Sequence, residues 1–203
     1  MGLVPRRRGQ ISLEFMLVFA IMLIMLLYSV KNVGFSPESP SARTLTVQMA
    51  LEEKSVANVI AGAIDQVYAQ GPGSKVTVYA RFNLLRNSDY ISKAFNITSP
   101  QVLVMLIGTT DPLFPPGAEN SVVAVAVANS TYGPILTGSN RTGVWVQTYF
   151  LYNSTPTNFT VSFSPSDVPR TLRVIVEWNP ASPVSMTYDS ASGTLYINIR
   201  PGA

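Results

Sequence analysis

GQISLEFMLVFAIMLIMLLYSV, Gly9 to Val30, is the stretch that decides how the rest of the chain is read. It follows three consecutive arginines, Arg6 to Arg8, and from Phe15 to Leu27 every side chain is apolar. Ile11 to Val30 makes 20 residues. As a helix that is about 30 Å, the hydrocarbon thickness of a bilayer. Glu14 is the one carboxylate inside the run and is expected in the first helical turn. The run ends as LLYSVKNVG, without the small-x-small site that closes an ordinary secretory signal peptide, so cleavage after it is disfavoured.

Ahead of the run, Gly9 closes a basic leader and is followed by QISLEF, with Glu14 fifth from Gln10. This arrangement resembles the class III signal peptide of archaeal type IV pilin-like proteins. The resemblance implies that a prepilin peptidase cuts between Gly9 and Gln10 and leaves the apolar helix on the mature chain. It also implies that Glu14, beside Phe15, serves assembly by pairing with the new α-amine of Gln10 on a neighbouring helix. Physically, a carboxylate near a helix start faces free N–H groups and the positive end of the macrodipole, worth about 0.3–1 kcal/mol. The alternative is an interfacial glutamate snorkelling to the headgroups. A second block, AIDQVYAQGPGS (Ala63 to Ser74), is similar to the helix-to-strand passage that follows in the same family. The resemblance covers Met1 to about Ser74; beyond that the reading rests on periodicity.

At 203 residues the chain suits one domain plus an anchor. Charged residues are only 12%, about half the usual share, and Ser, Thr, Gly, Pro and β-branched residues replace them, as in an exposed β-rich domain. The basic balance lies in the leader. Removing Arg6 to Arg8 from 14 basic residues leaves 11 against 11 acidic, so no nucleic-acid partner is expected. By the positive-inside rule the leader stays cytoplasmic and the remainder lies outside, since Lys31 alone stands on the far flank before Glu38. Five glycosylation acceptor patterns begin at Asn96, Asn129, Asn140, Asn153 and Asn158. Composition alone would give roughly two.

Read in order, the chain divides into a basic leader (1–9), a hydrophobic helix (10–36), a Pro-containing linker with an amphipathic helix (37–73) and a β-rich extracellular domain (74–203). Pro37 and Pro40 should interrupt the first helix. Ser41 is the expected N-cap of the second, whose apolar stripe is Leu45, Met49, Val56, Ile60, Ile64 and Val67, with Gln48, Glu52, Glu53, Lys54 and Asn58 on the other side. Gly71-Pro72-Gly73 should stop it. Alternation predicts strands from Val76 to Phe82, Phe159 to Phe163, Leu172 to Trp178 and Leu195 to Ile199. Gln101 to Ile107 and Ser121 to Ala128 are apolar on both faces and read as central strands or strands under the second helix. Gly143 to Tyr152 adds a strand, and Val184 to Tyr188 should form a hairpin with Thr194 to Ile199. The expected fold class is α+β: a long N-terminal hydrophobic helix, a second amphipathic helix, then an antiparallel β-sandwich-like domain.

Chemistry is sparse. With neither His nor Cys, the familiar triads, thiolates and common zinc sites cannot be built, and no catalytic residue, cofactor or metal site is expected. Glu52-Glu53 reads as a solvated helix face, Trp145 and Trp178 as core rather than sugar platforms, and Asp111 with Glu119 as the carboxylates nearest to a cation-binding loop. Three hypotheses remain. The first is a structural filament subunit: a homopolymer built by pilus assembly machinery through its N-terminal helix, membrane-inserted before assembly and displayed at the cell surface. The second is a membrane-anchored β-sandwich that binds sugars or surfaces without polymerising. The third is an anchored extracellular hydrolase, the weakest for want of residue types.

Overall fold

The computed structural model describes residues 8–33, 39–129, 132–151, 159–181 and 185–199. Its elements run α1 (Arg8–Val33), α2 (Pro40–Gln70), β1 (Lys75–Arg81), α3 (Ser88–Phe95), β2 (Gln101–Ile107), β3 (Val122–Ala128), β4 (Gly143–Gln147), β5 (Thr160–Phe163), β6 (Thr171–Glu177), β7 (Ser185–Asp189) and β8 (Thr194–Asn198). The fold is α+β, with an apolar N-terminal helix ahead of further helices and largely antiparallel sheets.

α2 is the spine of the folded part. Its 31 residues make a rod of about 46 Å. Ser39, not Ser41, is the N-cap, its side chain accepting from the Ala42 N–H at 3.2 Å, because Pro40 occupies the first helical position, where no N–H is required. The apolar stripe from Leu45 to Val67 is buried throughout. At the far end Gly71 adopts φ +86°, and its N–H caps the Val67 carbonyl. The chain then turns into β1, with the Gly73 N–H donating to the Trp178 carbonyl and the Trp178 N–H to the Ser74 carbonyl.

Two four-stranded sheets pack beneath α2, in the orders β1-β6-β8-β7 and β4-β3-β2-β5. α2 touches β1 and β6 of the first and β3 and β4 of the second, so one helix closes the core over both. β2 and β3 are central, as their two-sided apolarity requires. Val104, Leu106, Val123, Val125 and Val127 face the main core, whereas Met105, Ile107, Val122, Ala124 and Ala126 meet Leu136, Phe114 and Trp145 on the opposite face.

Four expectations are corrected. The domain is not wholly antiparallel: β6 and β8 pair in parallel, because the β7–β8 hairpin returns β8 between β6 and β7. β4 ends at Gln147 rather than Tyr152, where the Thr148 hydroxyl turns to the carbonyls of Ser121 and Phe150 and Asp65 accepts the Tyr149 N–H. α3 was not expected; Asn87 caps it through the N–H groups of Asp89 and Tyr90. Glu52 and Glu53 are not a solvated face. Glu52 accepts the backbone N–H groups of Asn83, Leu84 and Leu85 at 2.6–3.3 Å, tying α2 to the turn after β1.

Glu53 is 1% exposed, and its Oε1 has no hydrogen-bond partner among the described residues. Burial first, and Glu52 second, push its carboxyl well above the ordinary range, with Arg141 pulling weakly the other way. At pH between the ordinary and the raised value, the folded chain therefore keeps a proton on Glu53 that the unfolded chain has released. A raised folded pKa makes stability highest at low pH and lower as pH climbs from about 4.5 towards that raised value, at up to about 1.4 kcal/mol per pH unit. Glu53→Met is expected to remove this component of the slope and raise the melting temperature at pH 7–8 of detergent-solubilised chain, read by near-ultraviolet circular dichroism. An unchanged slope in the variant would refute the burial argument.

Candidate functional site

The candidate site is the amino-terminal helix together with the surface acceptors of the β-rich part. α1 contains 26 residues, about 39 Å. Every described side chain on it, Leu13 to Lys31, is exposed, its large apolar residues from Leu23 at 44% to Leu13 at 70%. A helix apolar on all sides needs cover on all sides, and among the described residues none supplies it. Leu13–Lys31 is long and apolar enough to cross a membrane.

Gly9 and Gln10 lie in the first turn of α1, which begins at Arg8. Glu14 therefore stands beyond the first turn of the uncut chain, where the macrodipole has largely decayed, and not within it as the spacing suggests. Removal of residues 1–9 would leave Glu14 four residues from the new amino terminus, restoring that interaction. Phe15 stacks on Phe19 one turn on, with centroids 6.4 Å apart and planes at 13°. The linker residue Pro37 lies outside the described residues.

Of the five acceptor asparagines, Asn153 and Asn158 fall outside the described residues. Asn96 is exposed, sits at the C-cap of α3 with φ 53°, and has an exposed Thr98 two residues on. Asn140 is exposed, but the Thr142 of its pattern is buried with its hydroxyl accepting the Ile135 N–H. Asn129 is half-buried and tied at both ends of its amide: the side-chain nitrogen donates to the Thr98 carbonyl at 3.0 Å and the oxygen accepts the Tyr132 N–H. Acceptor access thus falls in the order Asn96, Asn140, Asn129.

Trp178 is core, stacked on Tyr68 at 5.6 Å and 11°, while Trp145 is half-buried over the second apolar cluster. Asp111 turns inward on its own loop to accept the Leu113 N–H. Among the described residues no three or more of His, Cys, Asp and Glu gather in a metal-binding group. The sequence reading missed an exposed apolar pair on α2, Val47 and Leu51, set four apart and off the core stripe; that spacing was its only signal.

Against known proteins, the Class III signal peptide family matches residues 7–30, from within the arginine leader to the end of the apolar run. This match supports a type IV pilin-like precursor, with processing by a prepilin peptidase and handling by membrane assembly machinery. Together with the uncovered helix it fits a membrane-anchored or secreted surface protein. No curated protein and no solved structure matches the chain.

Glycopeptide mass spectrometry of the natural product is expected to find Asn96 the most fully occupied of the three described acceptors, and Asn129 the least. Asn129→Gln should leave the glycan mass unchanged, and a major glycan on Asn129 would contradict the geometry.

Proposed function

We propose that this chain is a structural subunit of an extracellular archaeal type IV pilus-like filament. The observation that carries the reading is the class III match over residues 7–30, on a helix whose side chains no other described residue covers. Apolar surface of this extent stays out of water by one of two routes, lipid or sister helices. Cleavage after Gly9 supplies the transition between them: it removes the arginines that hold the leader on the cytoplasmic side and gives Gln10 a free α-amine. The cut helix then leaves the bilayer laterally and packs with identical copies, Glu14 of one meeting the amine of another. The β-rich part is displayed outside, with glycans first at Asn96. No role is assigned to a cofactor or to catalysis.

Shearing cells should release intact mature chain, beginning at Gln10, in a fibre fraction. Gly9→Val should leave the chain at precursor mass and abolish the fibres. Glu14→Gln should reduce fibre yield by about tenfold or more, as for losing a desolvated charge pair, with insertion into membranes unchanged. Recovery of all mature chain from detergent-extracted membranes, with none in fibres, would instead indicate an anchored module that does not polymerise.

A further inference from the structure

A second apolar stripe on α2 is left uncovered by the fold. Val47, Ala50, Leu51 and Lys54 follow one another at the i, i+3, i+4, i+7 spacing of a single helix face, and Val47 and Leu51 are 60% and 66% exposed. They form one wall of a groove of about 420 Å³ whose other wall includes Trp145 and Arg141. The Lys54 ammonium donates to the Trp145 carbonyl at 2.9 Å, which fastens the two walls together and leaves two ammonium protons free to bond elsewhere. The groove is thus an apolar slot about two turns long with the Lys54 ammonium at one end.

From this we infer that the groove receives α1 of a second copy of this chain, running antiparallel to α2. α1 is the one described helix whose apolar surface is wholly uncovered, and an amphipathic slot at helical spacing suits a helix. Charge sets the register. Glu14 is the only charged residue between Leu13 and Val30, and the face of α1 that carries it also carries Leu17, Val18 and Ile21, again at i, i+3, i+4, i+7. Laid antiparallel, Glu14 brings one carboxylate oxygen to Lys54 while the other stays with the Gln10 amine of a sister helix, Leu17 and Val18 meet Ala50 and Leu51, and Ile21 meets Val47. The groove contact covers one face of one stretch of α1, so sister helices cover the remainder. This inference rests on the filament reading and specifies a contact within it.

The chain has no cysteine, so engineered pairs report without background. Full-length Leu51→Cys chain is produced together with full-length Leu17→Cys or Val18→Cys chain, fibres are sheared and oxidised, and dimers are resolved without reductant. Disulfide-linked dimer is expected with one or both pairs and not with Leu51→Cys alone. Separately, Leu51→Lys should lower fibre yield by about tenfold, the scale of a central interface residue, with precursor level in the membrane unchanged, whereas Leu51→Met should retain it. Fibres that form normally with Leu51→Lys, or that cross-link through neither pair, or through Leu51→Cys alone, overturn the groove contact and leave the filament reading standing. Absence of fibres from the unaltered chain overturns both.

Discussion

Covering α1 is the constraint to which the rest of this molecule answers. Leu13 to Lys31 form a helix with apolar side chains on every side, and among the described residues none of the folded domain covers it. In water such a surface would drive aggregation; in a bilayer it is simply dissolved. The domain that follows has its own closed core and does not borrow α1 for stability. Because of that separation, a change in what surrounds α1 does not require the domain to refold.

The domain achieves independence by laying one long helix across two sheets. Because α2 touches β1 and β6 on one side and β3 and β4 on the other, its buried arc is wider than a single stripe. Residues one apart on a helix are separated by about 100°, so Glu52 and Glu53 both fall on packed surface while facing different neighbours. Glu52 meets a turn rich in backbone N–H groups and remains well satisfied. Glu53, one residue on, is buried with no such donor for its Oε1, and burial raises its pKa instead. The wide arc still leaves a strip near the start of α2, and that strip is where Val47 and Leu51 reach solvent.

β2 and β3 show the same logic in sheet form. Flanked on both edges, facing the main core on one side and the Leu136 and Phe114 segments on the other, they have no wet face and are apolar at almost every position. β1, on an edge, alternates more exposed with less exposed side chains and carries Lys75, which pairs with Glu177 of β6 at the surface.

What the amino-acid order determined by itself is everything that depends on neighbours along the chain. The apolar run, the core stripe of α2, the Gly71 stop and the eight strands are all written in short-range periodicity and turn chemistry, and each is legible without coordinates. Tertiary structure alone decided what depends on residues far apart: that β8 lies parallel to β6, that β4 ends where Asp65 takes the Tyr149 N–H, that Glu53 is enclosed, and which acceptor asparagines have free access. Position in the stripe, four after Met49 and three before Val56, placed Glu53 on the core face, but its charge argued for water. Only the sheet packed against that face settled the conflict, because burial is a property of the whole contact surface and not of any one residue's preference.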